Sequence, residues 1–180
     1  MTHHTTGPRH TTATTALLVL LTGLLAGCSG PDHRPAPQSA SATELGVWNP
    51  CTIPDETLSR AGLDPTTGIP ATPQRPDILL CNWRSDPTVW HHIVEITSTT
   101  IPLDTYKRLP TTGAYTDITI DGRTGIQYRL GDTTAQRRCD AALATTWGTI
   151  TISTTTTGTP DDPCEQNTTT ATTLAPSIPR

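Results

Sequence analysis

Apolar side chains fall into three regimes along the 180-residue chain. Ala16 to Leu25 is a dense apolar run, interrupted only by Thr22 and Gly23. From Ser29 to about Glu44 large apolar residues are almost absent, and Pro, Ser and Ala dominate. Beyond Gly46 the apolar positions return in short groups, mostly at two-residue spacing, which is the pattern of half-buried strands.

Within this third regime Thr52-Ile53-Pro54-Asp55 is expected to open a helix. Thr52 is placed to cap it, Pro54 fits a first turn, Asp55 and Glu56 suit the positive end of the helix dipole, and Gly62 is a natural stop. Asp64 to Pro76 carries four prolines and reads as a loop. Ile78 to Arg84 reads as a strand. Trp90 to Thr99 reads as the next, with Trp90, His92, Val94 and Ile96 on one face and His91, Ile93 and Glu95 on the other. Leu103 to Leu109 is expected as a short helix. Tyr115 to Ile120 and Gly125 to Leu130 flank Asp121-Gly122, a two-residue hairpin signal. Cys139 to Ser153 holds another strand, clearest over Thr146 to Ser153, and Arg137-Arg138 before it reads as a solvated turn. Asp161-Asp162-Pro163-Cys164-Glu165 repeats the cap-plus-proline pattern and starts a C-terminal helix to about Leu174, whose threonines make it intrinsically weak. Helix, antiparallel strands and helix together predict one α+β domain over residues 46–180.

Composition sharpens this picture. Phenylalanine is absent and methionine occurs once, so the core must come from Leu, Ile, Val, Ala, four tryptophans and three tyrosines. Threonine is the outlier, at 40 of 180 residues. Its β-branch suits strands, and it also suits solvated Thr/Pro-rich segments that can carry O-glycans. Thr154 to Thr157 is read as a strand end in preference to a glycosylated loop. Asn167-Thr168-Thr169 matches the N-glycosylation pattern, a match read as chance.

The apolar run ends in Leu25-Ala26-Gly27-Cys28. A spanning helix needs roughly 20 apolar residues, so this run is too short to stay in a membrane and has the layout of an export signal over residues 1–27. A cysteine directly after Leu-Ala-Gly looks like a bacterial lipobox, with Cys28 the new N-terminus and the site of lipidation. Two or more acyl chains on it give stable anchoring. Residues 28–45 then form the lipidated cysteine and a flexible tether, with a reach of roughly 20–25 Å. The expected location is the extracytoplasmic face of the cell membrane. Removing residues 1–27 removes Arg9 and no acid, which takes the formal charge from −4 to −5. That disfavours nucleic acid as a partner, since it wants a basic face.

Four cysteines remain: Cys51, Cys81, Cys139 and Cys164. An even number in an exported chain implies disulfides, with three connectivities open. Cys51 with Cys81 and Cys139 with Cys164 is preferred, because each pair closes a local loop of moderate length. A zinc site would want a C-x2-C spacing that the chain lacks.

Trp48-Asn49-Pro50-Cys51, a helix ending in Ala61-Gly62-Leu63-Asp64-Pro65, the Cys81-Asn82-Trp83 strand, and Cys139 followed by Asp162-Pro163-Cys164-Glu165 come in one order. Together with the lipobox they resemble the actinobacterial lipoproteins grouped as domain of unknown function 3558, over roughly Val47 to Pro176. Where that family often carries an acid before the first Pro-Cys, this chain has Asn49. The resemblance implies an envelope lipoprotein in a high-GC Gram-positive background, and no activity.

Candidate chemistry is sparse. His91-His92 invites a metal reading, but strand neighbours point to opposite faces. Neither a metal nor a cofactor is expected. Trp83, Trp90 and Trp147 could line an apolar ligand pocket, or supply bulk to a core without phenylalanine. A hydrolase would need His91 or His92 as base, or Glu95 paired with Asp117 or Asp121, and no Gly-x-Ser-x-Gly is present. The expectation is a non-catalytic binding or interaction module for an envelope protein, lipid or glycan. A carrier of a small apolar ligand is the alternative, and an envelope hydrolase comes behind it.

Overall fold

A computed structural model describes residues 46–71, 75, 77–109, 114–133, 136–157 and 162–180. The signal, Cys28 and the tether lie outside the described residues. Among the described residues there are three helices, α1 (Asp55–Arg60), α2 (Leu103–Tyr106) and α3 (Pro163–Leu174), together with short 3-10 turns at Pro50–Thr52 and Ala175–Ser177. The strands are β1 (Asp64–Ala71), β2 (Ile78–Arg84), β3 (His92–Thr99), β4 (Tyr115–Ile120), β5 (Arg123–Thr133), β6 (Gln136–Ala144) and β7 (Thr149–Thr157). They form one antiparallel sheet in the order β1-β2-β3-β7-β6-β5-β4.

Asn49 caps the first 3-10 turn by accepting the Cys51 N–H at 3.0 Å, so an amide serves there as an acid would. Thr52 does not cap α1, contrary to expectation. Its hydroxyl is spent on the Asn49 carbonyl at 2.8 Å, and Pro54 is the residue before the helix. Gly62, at φ 76°, stops α1, with Leu63 N–H bonded to Leu58 O and Gly62 N–H to Ser59 O. These paired bonds satisfy carbonyls the helix would otherwise leave open.

Three further sequence expectations are corrected. The proline-rich stretch from Asp64 is a strand as far as Ala71, not a loop. Its prolines are tolerated because β1 is an edge strand with a register shift between Asp64 and Ile69. Gly68 also fits closely, since a Cβ there would lie 2.8 Å from Trp83 Nε1. Cys139 to Ser153 holds parts of two strands, not one, joined by a turn in which Thr145 N–H meets Gly148 O at 3.0 Å. Arg137 and Arg138 lie inside β6 and not in a turn. The central position of β6 buries Ala141 and Leu143 on one face and Ala142 on the other, which erases the alternation that marks a strand in sequence.

The sheet carries two apolar layers. On one face α1, α3 and the C-terminal turn cover Cys81, Trp83, Val94, Ile96, Leu143, Ile150 and Ile152. On the other, α2 lays Leu103 on Ile126, Tyr128 and Ala142. The disulfides are Cys51–Cys81, at a sequence separation of 30, and Cys139–Cys164, at 25. The second fastens the start of α3 to β6. Asp162 caps α3 by accepting the Cys164 N–H at 2.8 Å. The exposed threonines of α3 fold their hydroxyls onto carbonyls one turn back, as from Thr168 to Cys164 O at 2.9 Å.

The Asp121-Gly122 hairpin has φ 51° and 71° at its two turn residues, the combination that matches strand twist. Arg123 opens β5 beneath the chain end. Its buried guanidinium donates to the carbonyls of Ala175, Ile178 and Pro179, so it closes off the terminus of the last turn.

Candidate functional site

The face of the sheet opposite α3 carries a polar row that runs across strands. Asn82, Glu95, Ser153, Asp140 and Tyr128 stand directly opposite one another on β2, β3, β7, β6 and β5. Arg138, two residues from Asp140 and therefore on the same face, ties the row together. Its Nε donates to Asp140 Oδ1 at 2.8 Å and its Nη2 to Ser153 Oγ at 2.7 Å. Nη2 also lies 3.5 Å from Glu95 Oε1. Burial alone would favour losing the Arg138 proton, but the Asp140 hydrogen bond and the charges of Asp140 and Glu95 outweigh it and hold the guanidinium more firmly protonated. Tyr128, buried beside Asp140 and bonded to Tyr106, is pushed far up and stays neutral. Both carboxylate oxygens of Asp140 therefore face the Arg138 guanidinium.

The sequence-derived candidates do not converge. Glu95 lies on β3 and Asp117 on β4, four strand spacings away or roughly 19 Å. That exceeds the roughly 5–9.5 Å of paired catalytic carboxylates. Asp121 sits in the turn beyond β4, so neither acid pairs with Glu95. His91 is exposed. His92 shares a face with Val94, and its Nε2 is buried with no partner. Burial, then the neighbouring His91, lowers its pKa. Among the described residues no group of three or more His, Cys, Asp or Glu could hold a metal ion.

The three tryptophans do not form one pocket either. Trp83 is core, 3 % exposed against α1 and α3. Trp90 precedes β3, while Trp147 precedes β7, whose first residue pairs with the last of β3. Antiparallel pairing thus puts Trp90 and Trp147 at opposite ends of an eight-residue strand, some 25 Å apart. Trp48 is half-buried against the main core, as is Cys51.

A cleft lies instead at the Trp147 end of the sheet, between α2 and the β6–β7 turn, with a volume of about 470 Å³. Pro102, Leu103, Asp104 and Lys107 form one wall, and Thr145, Thr146 and Trp147 the other. The two walls are held together from below. Thr149 Oγ1 donates to Ile101 O at 2.7 Å, and Gly148 packs so closely that a Cβ would fall 2.1 Å from Thr99 O. Thr146 donates to the terminal Arg180 carbonyl at 3.0 Å. Lys107 reaches Asp117 at 3.5 Å and lies 5.8 Å above the Tyr115 ring. Sequence reasoning singled out Trp147 but missed the cleft, because its walls come together only through the β3–β7 pairing.

Asn167 is fully buried. Its Nδ2 donates to Ile152 O at 2.8 Å and to Thr154 Oγ1 at 3.2 Å, and its Oδ1 accepts from Gln127 Nε2 at 3.2 Å. It is an internal strut between α3, β7 and β5, not an exposed acceptor for a glycan. Thr154 to Thr157 end β7. No helix among the described residues is long and apolar enough to cross a membrane.

No curated protein and no solved structure matches the chain. A family model described as "Protein of unknown function (DUF3558)" matches residues 23–177. The match takes in Leu25-Ala26-Gly27-Cys28, both disulfides, the whole sheet and α3. The chain belongs to the DUF3558 family.

Proposed function

We propose that this chain is a lipid-anchored envelope protein, attached by Cys28 to the outer face of the cell membrane, whose folded domain is a non-catalytic binding module. The observation that carries the reading is the order of parts: a ten-residue apolar run, Leu25-Ala26-Gly27-Cys28, a Pro/Ser/Ala stretch, then a disulfide-held domain beginning near Gly46. The family match starts at residue 23 and so includes the cysteine with the domain. Binding is favoured over catalysis because the ionisable groups of the polar row are engaged with one another. The histidine candidates for a base lie apart from that row, His92 on the opposite face of β3 from Glu95. Fractionation of expressing cells tests the reading. The wild-type chain should sediment with membranes and be cut by protease added to whole cells, whereas Cys28→Ser should leave the membrane fraction. Equal partitioning of the two would contradict it.

A further inference from the structure

His92 opens β3 at the end of the sheet away from the cleft. The residue is half-buried, but its Nε2 is fully buried and has no hydrogen-bond partner. A neutral ring tolerates this at the cost of one unmade bond. An imidazolium carries an N–H on both nitrogens, so it would bury a charged donor with nothing to accept it, which costs far more.

The surrounding charges bring no relief. Thr156 stands directly opposite on β7, and its hydroxyl donates to Arg137 O at 3.5 Å. Beyond Thr156, on β6, the residue on the same face is Arg137, a cation. His91 is a second cation once protonated. At the start of α3, Asp162 pairs with Arg129 at 2.7 Å. In the β2–β3 connection Asp86 accepts the N–H groups of Thr88 and Val89 at 2.7 and 2.9 Å. Arg84, Glu95 and Arg138 lie on the other face of the sheet. Closure of this end rests on two backbone bonds that flank the ring. Ser85 N–H donates to His92 O and Thr157 N–H to His91 O, both at 3.0 Å.

We propose that His92 is an acid-sensitive latch: protonation of its ring in mildly acidic solution releases the first residue of β3 from β7 and loosens the β2–β3 connection. The sign follows from linkage. Burial, then His91, makes the closed ring hold a proton less tightly than the open one. Closure is therefore complete above the ordinary histidine value of about 6.5 and weakens as the pH falls below it. One pair further in, Val94 and Thr154 carry no titratable group, which confines the opening to this end.

The test uses the full chain, ¹⁵N-labelled, in detergent micelles. Two-dimensional NMR follows the His92 ring as the pH is lowered from about 8 to about 5, and hydrogen exchange gives the protection of the Ser85 and Thr157 amides at both ends of that range. The expected result is a ring that titrates below about 6.5, with protection lost at least about threefold on acidification and at most about 30-fold, the limit for an open histidine at pH 5. His92→Gln should abolish the loss and His91→Gln should retain it. A ring that titrates at or above about 6.5 would overturn the proposal, and this reading stands even if His92→Gln fails to fold. Unchanged protection in the wild type would do the same, as would a loss that persists in His92→Gln or vanishes in His91→Gln.

Discussion

Replacing Asn167 by alanine removes a side chain that bonds three elements from a fully buried position. Two bonds donated by its Nδ2 disappear, leaving the Ile152 carbonyl and the Thr154 hydroxyl with a lost partner in a dry site. Gln127 is less affected, since its Nε2 keeps Cys164 O at 3.2 Å and Thr168 Oγ1 at 2.9 Å. At about 1 kcal/mol per lost bond plus the cavity left behind, the cost is about 2–4 kcal/mol. For a domain of this size that is a fall in melting temperature of roughly 8–16 °C. Thermal unfolding followed by circular dichroism under non-reducing conditions reads it. Thr169→Ala is the control: it removes an exposed hydroxyl and abolishes the Asn-x-Thr pattern, but leaves the strut. It should stay within about 0.5 kcal/mol of wild type. A loss below about 2 °C in Asn167→Ala would refute the assignment of Asn167 as a strut. So would a Thr169→Ala loss as large as that of Asn167→Ala, which would point to a glycan.

Three further outcomes are expected. Replacing both Cys139 and Cys164 by alanine should cost about 3.5 kcal/mol by the loop-entropy relation for their separation of 25 residues, read as a lowered denaturant midpoint; an unchanged midpoint would contradict it. The carboxylates of Asp77, Asp86 and Asp162 are held below their ordinary value of 3.8: Asp77 by Arg75, Asp86 to about 2 by the Val89 N–H and Thr88, and Asp162 by the Cys164 N–H and Arg129. Because the folded values lie below the unfolded ones, this stabilisation is present above about pH 4 and is lost as pH falls towards 2. A urea midpoint that rises from pH 5 to pH 2.5 would contradict the assignment. Thr151→Val, which removes a buried hydroxyl without a partner, should stabilise the domain by about 0.5–1.5 kcal/mol. A loss of stability in that variant would show that the hydroxyl is satisfied.

Local signals carried much of the fold. Ile78–Arg84 is a strand at the limits its β-branched and aromatic residues suggest, Asp121-Gly122 makes its turn, and Asp162-Pro163 starts α3. The antiparallel α+β class with two disulfides followed from these. What local pattern hid was set by neighbours. The prolines of β1 argue against a strand until one knows that β1 lies at an edge, and the alanines of β6 lack a period because both faces are covered. The polar row is invisible in sequence for the same reason: Glu95, Arg138, Asp140 and Ser153 meet only when β3, β7 and β6 lie side by side. Arg123 gave no local signal, because the carbonyls it serves lie more than 50 residues away.

The measurement that tests the central claim most directly is the intact mass of the protein extracted from native membranes, with and without reductant. The account predicts a chain that begins at Cys28, carries added acyl mass, and gains about 4 Da on reduction as two disulfides open. A chain that begins elsewhere, or carries no lipid, would contradict the anchor, and an unchanged mass on reduction would contradict the two disulfides.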